Sequence, residues 1–140
     1  MDNYTTFKSF LDDEGIKYKE DSFESGDRFF VIPQRIKNGV VVNILVVFSK
    51  IKIKISVLGV AEIEEEEKRA ACYELFNQFN MEYSFFKMYM RPEGNICVEG
   101  DFSTEIFDGE FVAKELMNFI MAALLFVDKT FKELMKVQWS

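Results

Sequence analysis

Histidine is absent from all 140 residues. That excludes His-based catalytic triads, His-ligated zinc, His–Asp phosphorelay and the usual general base at neutral pH. Cysteine is scarce too. Cys72 and Cys97 stand far apart, in no C-x-x-C pair and with no histidine to complete a metal set. Two free thiols in a reducing compartment are the expectation, rather than a disulfide. The 7 glycines form neither a G-x-G-x-x-G nor a G-x-x-x-x-G-K-[ST] loop, so no phosphate cradle is read. No G-x-S-x-G elbow occurs. Long apolar runs are missing as well. The longest, Leu116 to Val127, is broken by Asn118 and ends at Asp128-Lys129, whereas a membrane-spanning helix needs about 20 residues. Met1-Asp2-Asn3-Tyr4 carries no basic, apolar leader pattern, so a cytoplasmic location without membrane insertion is expected.

What is present is the composition of a folded domain. Apolar residues make up 49% and charged residues 29%, which excludes intrinsic disorder. Seventeen basic residues against 24 acidic leave a net charge of −7. A counterion-release grip on nucleic acid is excluded, and so is attraction to anionic lipid. Phenylalanine (16) is the one type in excess. No repeat, linker or low-complexity tract divides the chain, so residues 1–140 read as one domain.

Periodicity predicts a first helix from Asn3 to Glu14, with Tyr4, Phe7, Phe10 and Leu11 on one face, an Asp or Asn cap and Gly15 as the stop. A short strand follows around Ile16 to Glu20, and then a turn at Ser25-Gly26-Asp27. Arg28 to Ile36 is a strand in which Pro33 requires an edge or a bulge. Asn38-Gly39 marks a hairpin into Val40–Phe48, a strand apolar on both faces and therefore expected to be covered on both. Ile51 to Ile55 alternates strictly with lysine, as a strand with one wet face does. A middle helix is read from Glu64 to Asn80, with Ala71, Cys72, Leu75, Phe76 and Phe79 inward. A hairpin of Phe85–Arg91 and Ile96–Phe102 turns at Pro92-Glu93-Gly94-Asn95. The longest helix, Glu110 to Val137, closes the chain. The order α-β-β-β-β-α-β-β-α, with its tight turns, implies an α+β fold around a mainly antiparallel sheet.

Candidate chemistry is thin. The acidic run Glu62, Glu64, Glu65, Glu66 and Glu67 lacks the alternation of a calcium loop. It suits a helix start, with Glu64 and Lys68 as an i,i+4 pair. Asp101, Glu105, Asp108 and Glu110 could in principle serve carboxylate chemistry, but they sit where solvated loop acids are commonplace. Both cysteines fit apolar surroundings, although Cys97 shares its strand face with Glu99. The last helix is the most informative segment. Its main stripe is Val112, Leu116, Phe119, Ile120, Ala123, Val127, Phe131 and Leu134. Nearly opposite lie Met117, Met121 and Leu125, a ridge covered either by the first helix or by a partner.

The stretch Leu75-Phe76-Asn77-Gln78-Phe79-Asn80, then Phe85-Phe86-Lys87-Met88-Tyr89, Gly94-Asn95-Ile96 and Val98-Glu99-Gly100-Asp101-Phe102, resembles the YbjN-like family of bacterial sensory-transduction regulators. The resemblance implies a fold like that of type III secretion chaperones, which are small, acidic, commonly homodimeric and bind segments of other proteins. It supplies no catalytic residues. The resulting expectation is a non-enzymatic, cytoplasmic protein-interaction module, homodimeric and chaperone-like or regulatory. It would need no metal or cofactor, and its acidic surface would favour basic clients. A small-ligand sensor with a Phe-rich pocket and a carboxylate-dependent hydrolase relying on Asp101 and Asp108 are the competing readings.

Overall fold

The computed structural model describes residues 2–50, 52–103 and 111–140. Its elements are α1 (Asn3–Asp13), β1 (Lys19–Ser22), β2 (Arg28–Arg35), β3 (Val41–Phe48), β4 (Lys52–Glu62), α2 (Glu66–Glu82), β5 (Lys87–Met90), β6 (Asn95–Ser103) and α3 (Ala113–Gln138). The six strands form one sheet in the order β1-β2-β3-β4-β6-β5. Every neighbouring pair is antiparallel, so the class is α+β.

Local chemistry accounts for most boundaries. Asp2 caps α1 by accepting the Thr5 N–H at 2.7 Å, satisfying one of the helix's orphan donors. Gly15, at φ +69°, ends it. Three hairpins share one turn. Phe23, Ile36 and Arg91 each donate a backbone N–H four residues ahead, and each accepts one from the glycine three residues on: Gly26, Gly39 and Gly94. Those glycines have φ between +91° and +98°. Asn38 is not in the left-handed region, so Asn38-Gly39 forms a three-residue loop with a glycine bulge rather than a two-residue primed turn.

Pro33 occupies the open side of β2. β1 pairs only with Arg28 to Val31. Since Ile36 bonds to Val40 at the turn, alternation leaves the Pro33–Asn43 pair non-hydrogen-bonded, with the proline nitrogen turned away from β3.

All three helices lie on one face of the sheet. Buried there are Phe30 and Ile32 from β2, Val42, Ile44, Val46 and Phe48 from β3, Ile53, Ile55 and Val57 from β4, Met88 from β5, and Ile96 and Val98 from β6. Phe30 sits at the centre of an aromatic cluster. It stacks on Tyr4 at 4.3 Å between centroids and meets Tyr18 at 5.2 Å, Phe7 at 5.7 Å and Phe48 at 5.8 Å. The phenylalanine excess is therefore packing material, ring against ring.

Two expectations about the strands are corrected. β3 is covered on one face only: Val41 and Asn43 are exposed, and Leu45 and Val47 are half-buried. Cross-strand neighbours Phe29 and Val31 shelter the latter pair, so apolar residues on that face reflect lateral contacts, not a second layer. The alternating strand runs on to Glu62, past Ile55. Between Val57↔Val98 and Ala61↔Ile96 the register slips, and Gly59 at φ +80° permits the bulge. Beyond the bulge Val60 and Ile63 continue the buried row at three-residue steps instead of two.

The segment carrying the family resemblance has structural work to do. Asn80, near the end of α2, mimics a neighbouring strand: its Nδ2 donates to the Met88 carbonyl at 3.1 Å and its Oδ1 accepts the Met88 N–H at 2.8 Å. Lys87 Nζ donates to the carbonyls of Asn80 and Tyr83, placing a cation at the negative end of α2. Gly100 lies beneath the Phe86 ring, where an added Cβ would come within 2.6 Å of a ring carbon. Phe86 is buried and held by Phe119 at 4.8 Å. Gly100→Ala is therefore expected to destabilise by about 1–3 kcal/mol through overpacking. The double variant with Phe86→Leu should recover part of that loss in thermal unfolding. Equal losses in single and double variants would discount the ring contact.

Candidate functional site

Both thiols lie in the interior of the fold. Cys72 and Cys97 are both free and buried, and burial raises both thiol pKa values. Cys97 does share its face with Glu99, away from the helices, but lies opposite Tyr89. Tyr89 donates to Glu99 at 2.6 Å, and its own pKa is pushed up to about 12 by burial and that bond.

Asp101 is exposed and pairs with Lys52 at 3.4 Å, while Glu105, Asp108 and Glu110 lie outside the described residues. Glu66 and Glu67 occupy the first turn of α2, as helix-start acids should. Lys68 pairs with Glu65 at 3.2 Å and not with Glu64. Glu64 precedes the helix, so the i,i+4 geometry is not available to it. Among the described residues no group of three or more acidic or thiol side chains converges for a metal ion, and no helix is long and apolar enough to cross a membrane.

The surface of α3 is more instructive. Met121 is 54% and Leu125 44% exposed, so α1 does not cover them. Met117 is half-buried and packs against the core. Positions four apart drift by about 40° per step on a helix of 3.6 residues per turn, so the row 117–121–125 climbs out of the core. The exposed stripe is instead Lys114, Asn118, Met121, Leu125, Lys129, Lys132 and Lys136, with its two apolar residues bracketed by lysines. Among the described residues Lys129 and Lys132 take part in no ion pair.

Beside this stripe runs an apolar groove of about 200 Å³, lined on one side by Ala122, Leu125, Phe126 and Lys129 and on the other by Tyr83 to Phe86. Its floor is fixed by packing: Tyr83 meets Phe126 edge-on at 4.6 Å. Phe85 is 75% exposed at its wall. Phe85 precedes β5 rather than belonging to it, because the strand begins at Lys87. The Phe85-Phe86 doublet was the available signal, since adjacent residues cannot both face one core.

The uncovered face of the sheet is a second apolar surface, where Phe23, 45% exposed, packs on Phe29 at 4.6 Å. Its charges select no particular partner. Another hollow, about 510 Å³ near the end of α3, borders Glu62, Glu64, Glu65 and Trp139. Across it Lys68 donates to the Gln138 carbonyl and Gln138 to that of Glu62.

Comparison with known proteins agrees with this architecture. The family model YbjN, described as "Putative bacterial sensory transduction regulator", matches residues 3–135. A solved structure titled "Crystal structure of YbjN, a putative transcription regulator from E. coli" superposes with a TM-score of 0.64 at 13% identity, over 94% of this chain and 93% of that one. At that identity the likeness shows the fold alone. No curated protein matches.

Proposed function

The chain belongs to the YbjN family, and from that premise we propose that it is a non-enzymatic, cytoplasmic regulatory module that works as a homodimer by holding an amphipathic helix of a protein partner. The observation that carries this reading is the α3 stripe and its groove. Leu125 and Phe85 are exposed apolar anchors lining one concave surface, with exposed Met121 one turn before Leu125 on α3, the form in which an apolar helix face is received. Methionine adapts to varied side chains.

The flanks indicate the charge of the partner. Net charge alone argues for basic clients, but charges act over about 8 Å at physiological salt. Lys129 is the charged residue lining the groove, and Lys132 follows it on α3. An acidic helix with apolar residues three or four apart is the fitting occupant. The net charge of −7 favours regulation through protein contacts over direct binding to nucleic acid.

The test uses a synthetic amphipathic peptide with leucine anchors and glutamate flanks, followed by fluorescence anisotropy. Removing one buried leucine-sized contact is worth roughly 1.5–3 kcal/mol, so Leu125→Asp and Phe85→Asp should each weaken binding at least about tenfold. Both side chains are exposed, so unfolding midpoints should stay unchanged. Equal affinity for wild type and both variants would remove this surface from consideration, and tighter binding of a lysine-flanked peptide would overturn the charge argument.

A further inference from the structure

The kind of helix that α3 should receive is present in the chain itself. The exposed face of α2 carries Glu66, Glu67, Ala70, Tyr73, Glu74, Asn77 and Met81. Tyr73 is 53% and Met81 79% exposed. No lysine or arginine lies on that face: Lys68 turns aside to Glu65 and Gln138, and Arg69 to the carbonyls of Ile63 and Pro92. Among the described residues Glu66, Glu67 and Glu74 form no ion pair. One helix thus presents acids around Tyr73 and Met81, and its neighbour presents lysines around Met121 and Leu125. The two stripes differ in charge, with Lys136 of α3 also pairing with Glu133 of its own helix at 3.1 Å.

The two helices also lie in a useful order. Lys68, at the start of α2, donates to the Gln138 carbonyl at the end of α3. Tyr83, just past α2, packs on Phe126 near the middle of α3. They are antiparallel neighbours.

Resting on the reading above, we infer that the resident partner of the α3 stripe is α2 of a second copy of this chain, in a closed two-fold dimer. A two-fold axis parallel to the helices and midway between them carries each α2 over the other copy's α3. It preserves position along the axis, so Glu66 and Glu67 of one copy come level with the Lys136 end of the other's α3, and Glu74 with Lys132. Both halves of the contact are then satisfied at once. Pairing α2 on α2 about an axis of the same direction sets glutamates against glutamates, and like charges in register oppose association. Charge selects the crossed arrangement, and the apolar residues between supply area to bury.

The experiment is a charge swap read by sedimentation velocity. Wild type should be a dimer in about 0.1 M salt and weaken in about 1 M, where the screening length falls from about 10 Å to about 3 Å. The triple variant Glu66→Lys, Glu67→Lys, Glu74→Lys should be monomeric alone, and so should Lys129→Glu, Lys132→Glu, Lys136→Glu. Mixed, they should form a 1:1 heterodimer, because each now complements the other at both contacts. All six residues are exposed, and circular dichroism melts should confirm that both variants fold. Dimers of both variants alone would overturn this pairing while leaving the homodimer intact. A monomeric wild type that still binds the acidic peptide would overturn the dimer and leave the helix-binding reading standing. A monomeric wild type that binds no peptide would overturn both.

Discussion

Gly94→Ala is expected to lower stability by about 3–5 kcal/mol, enough to threaten the fold of a domain whose total is about 5–15 kcal/mol. Three effects combine at this position. Gly94 sits at φ +98°, in a region that costs a residue with a Cβ roughly 1–3 kcal/mol. An added Cβ would lie 2.4 Å from the Ile63 carbonyl oxygen and 2.8 Å from a guanidinium nitrogen of Arg69. The obstructing oxygen is backbone, so relief requires the chain to move. That movement disturbs the Ile63 N–H bond to the Gly94 carbonyl at 2.9 Å, which ties the β5–β6 hairpin to the entry of α2. Gly39→Ala provides the control. It has the same turn and nearly the same φ, but nothing lies within 4 Å of its added Cβ. Urea midpoints should therefore fall markedly further for Gly94→Ala than for Gly39→Ala. Equal shifts would reduce Gly94 to an ordinary turn glycine.

Phe30→Ala is expected to cost about 3–5 kcal/mol through lost transfer energy and the cavity left behind. Phe30 is fully buried and holds four rings from three parts of the chain: Tyr4 and Phe7 of α1, Tyr18 of the connection and Phe48 of β3. The void cannot close easily, because strand pairing on both sides fixes Phe30 opposite Glu20 and Val46. With a slope of about 1–3 kcal/mol per molar urea, the midpoint should drop by roughly 2 M. Phe29→Ala, one position away on the uncovered face and half-buried, should shift it far less. Similar losses at the two positions would contradict the one-sided core.

Much of this fold is legible in local patterning. Tyr4, Phe7 and Leu11 at helical spacing are the buried face of α1, and Asp2 and Gly15 mark its limits. The glycines of three turns announce the hairpins. These features depend on neighbours within a few residues, where backbone preferences act directly. Val41, Leu45 and Val47 misled, because a one-dimensional pattern does not distinguish an apolar side chain under a helix from one sheltered by its cross-strand neighbour. The extension of β4 beyond Ile55 was hidden for a related reason. Its bulge breaks the two-residue alternation, so Val60 falls out of step with Ile53, Ile55 and Val57.

The candidate surface divides the same way. Met121 and Leu125, flanked by Lys114 and Lys132, stood out in sequence as apolar residues off the main stripe of α3, whereas Phe85 did not. Their grouping depends on α3 lying against the Tyr83–Phe86 connection, some forty residues earlier in the chain. By itself the sequence determined the element order, the α+β class, the net charge and the residue types from which any site must be built, since periodicity and composition are local or additive properties. Only the tertiary structure decided which face of each helix meets water and which charges stand side by side. It also showed that Asn80, Gly94 and Gly100, within the segments of family resemblance, serve backbone clasp, turn and ring seat. Those are long-range facts, fixed when separate segments compete to bury apolar surface against one sheet.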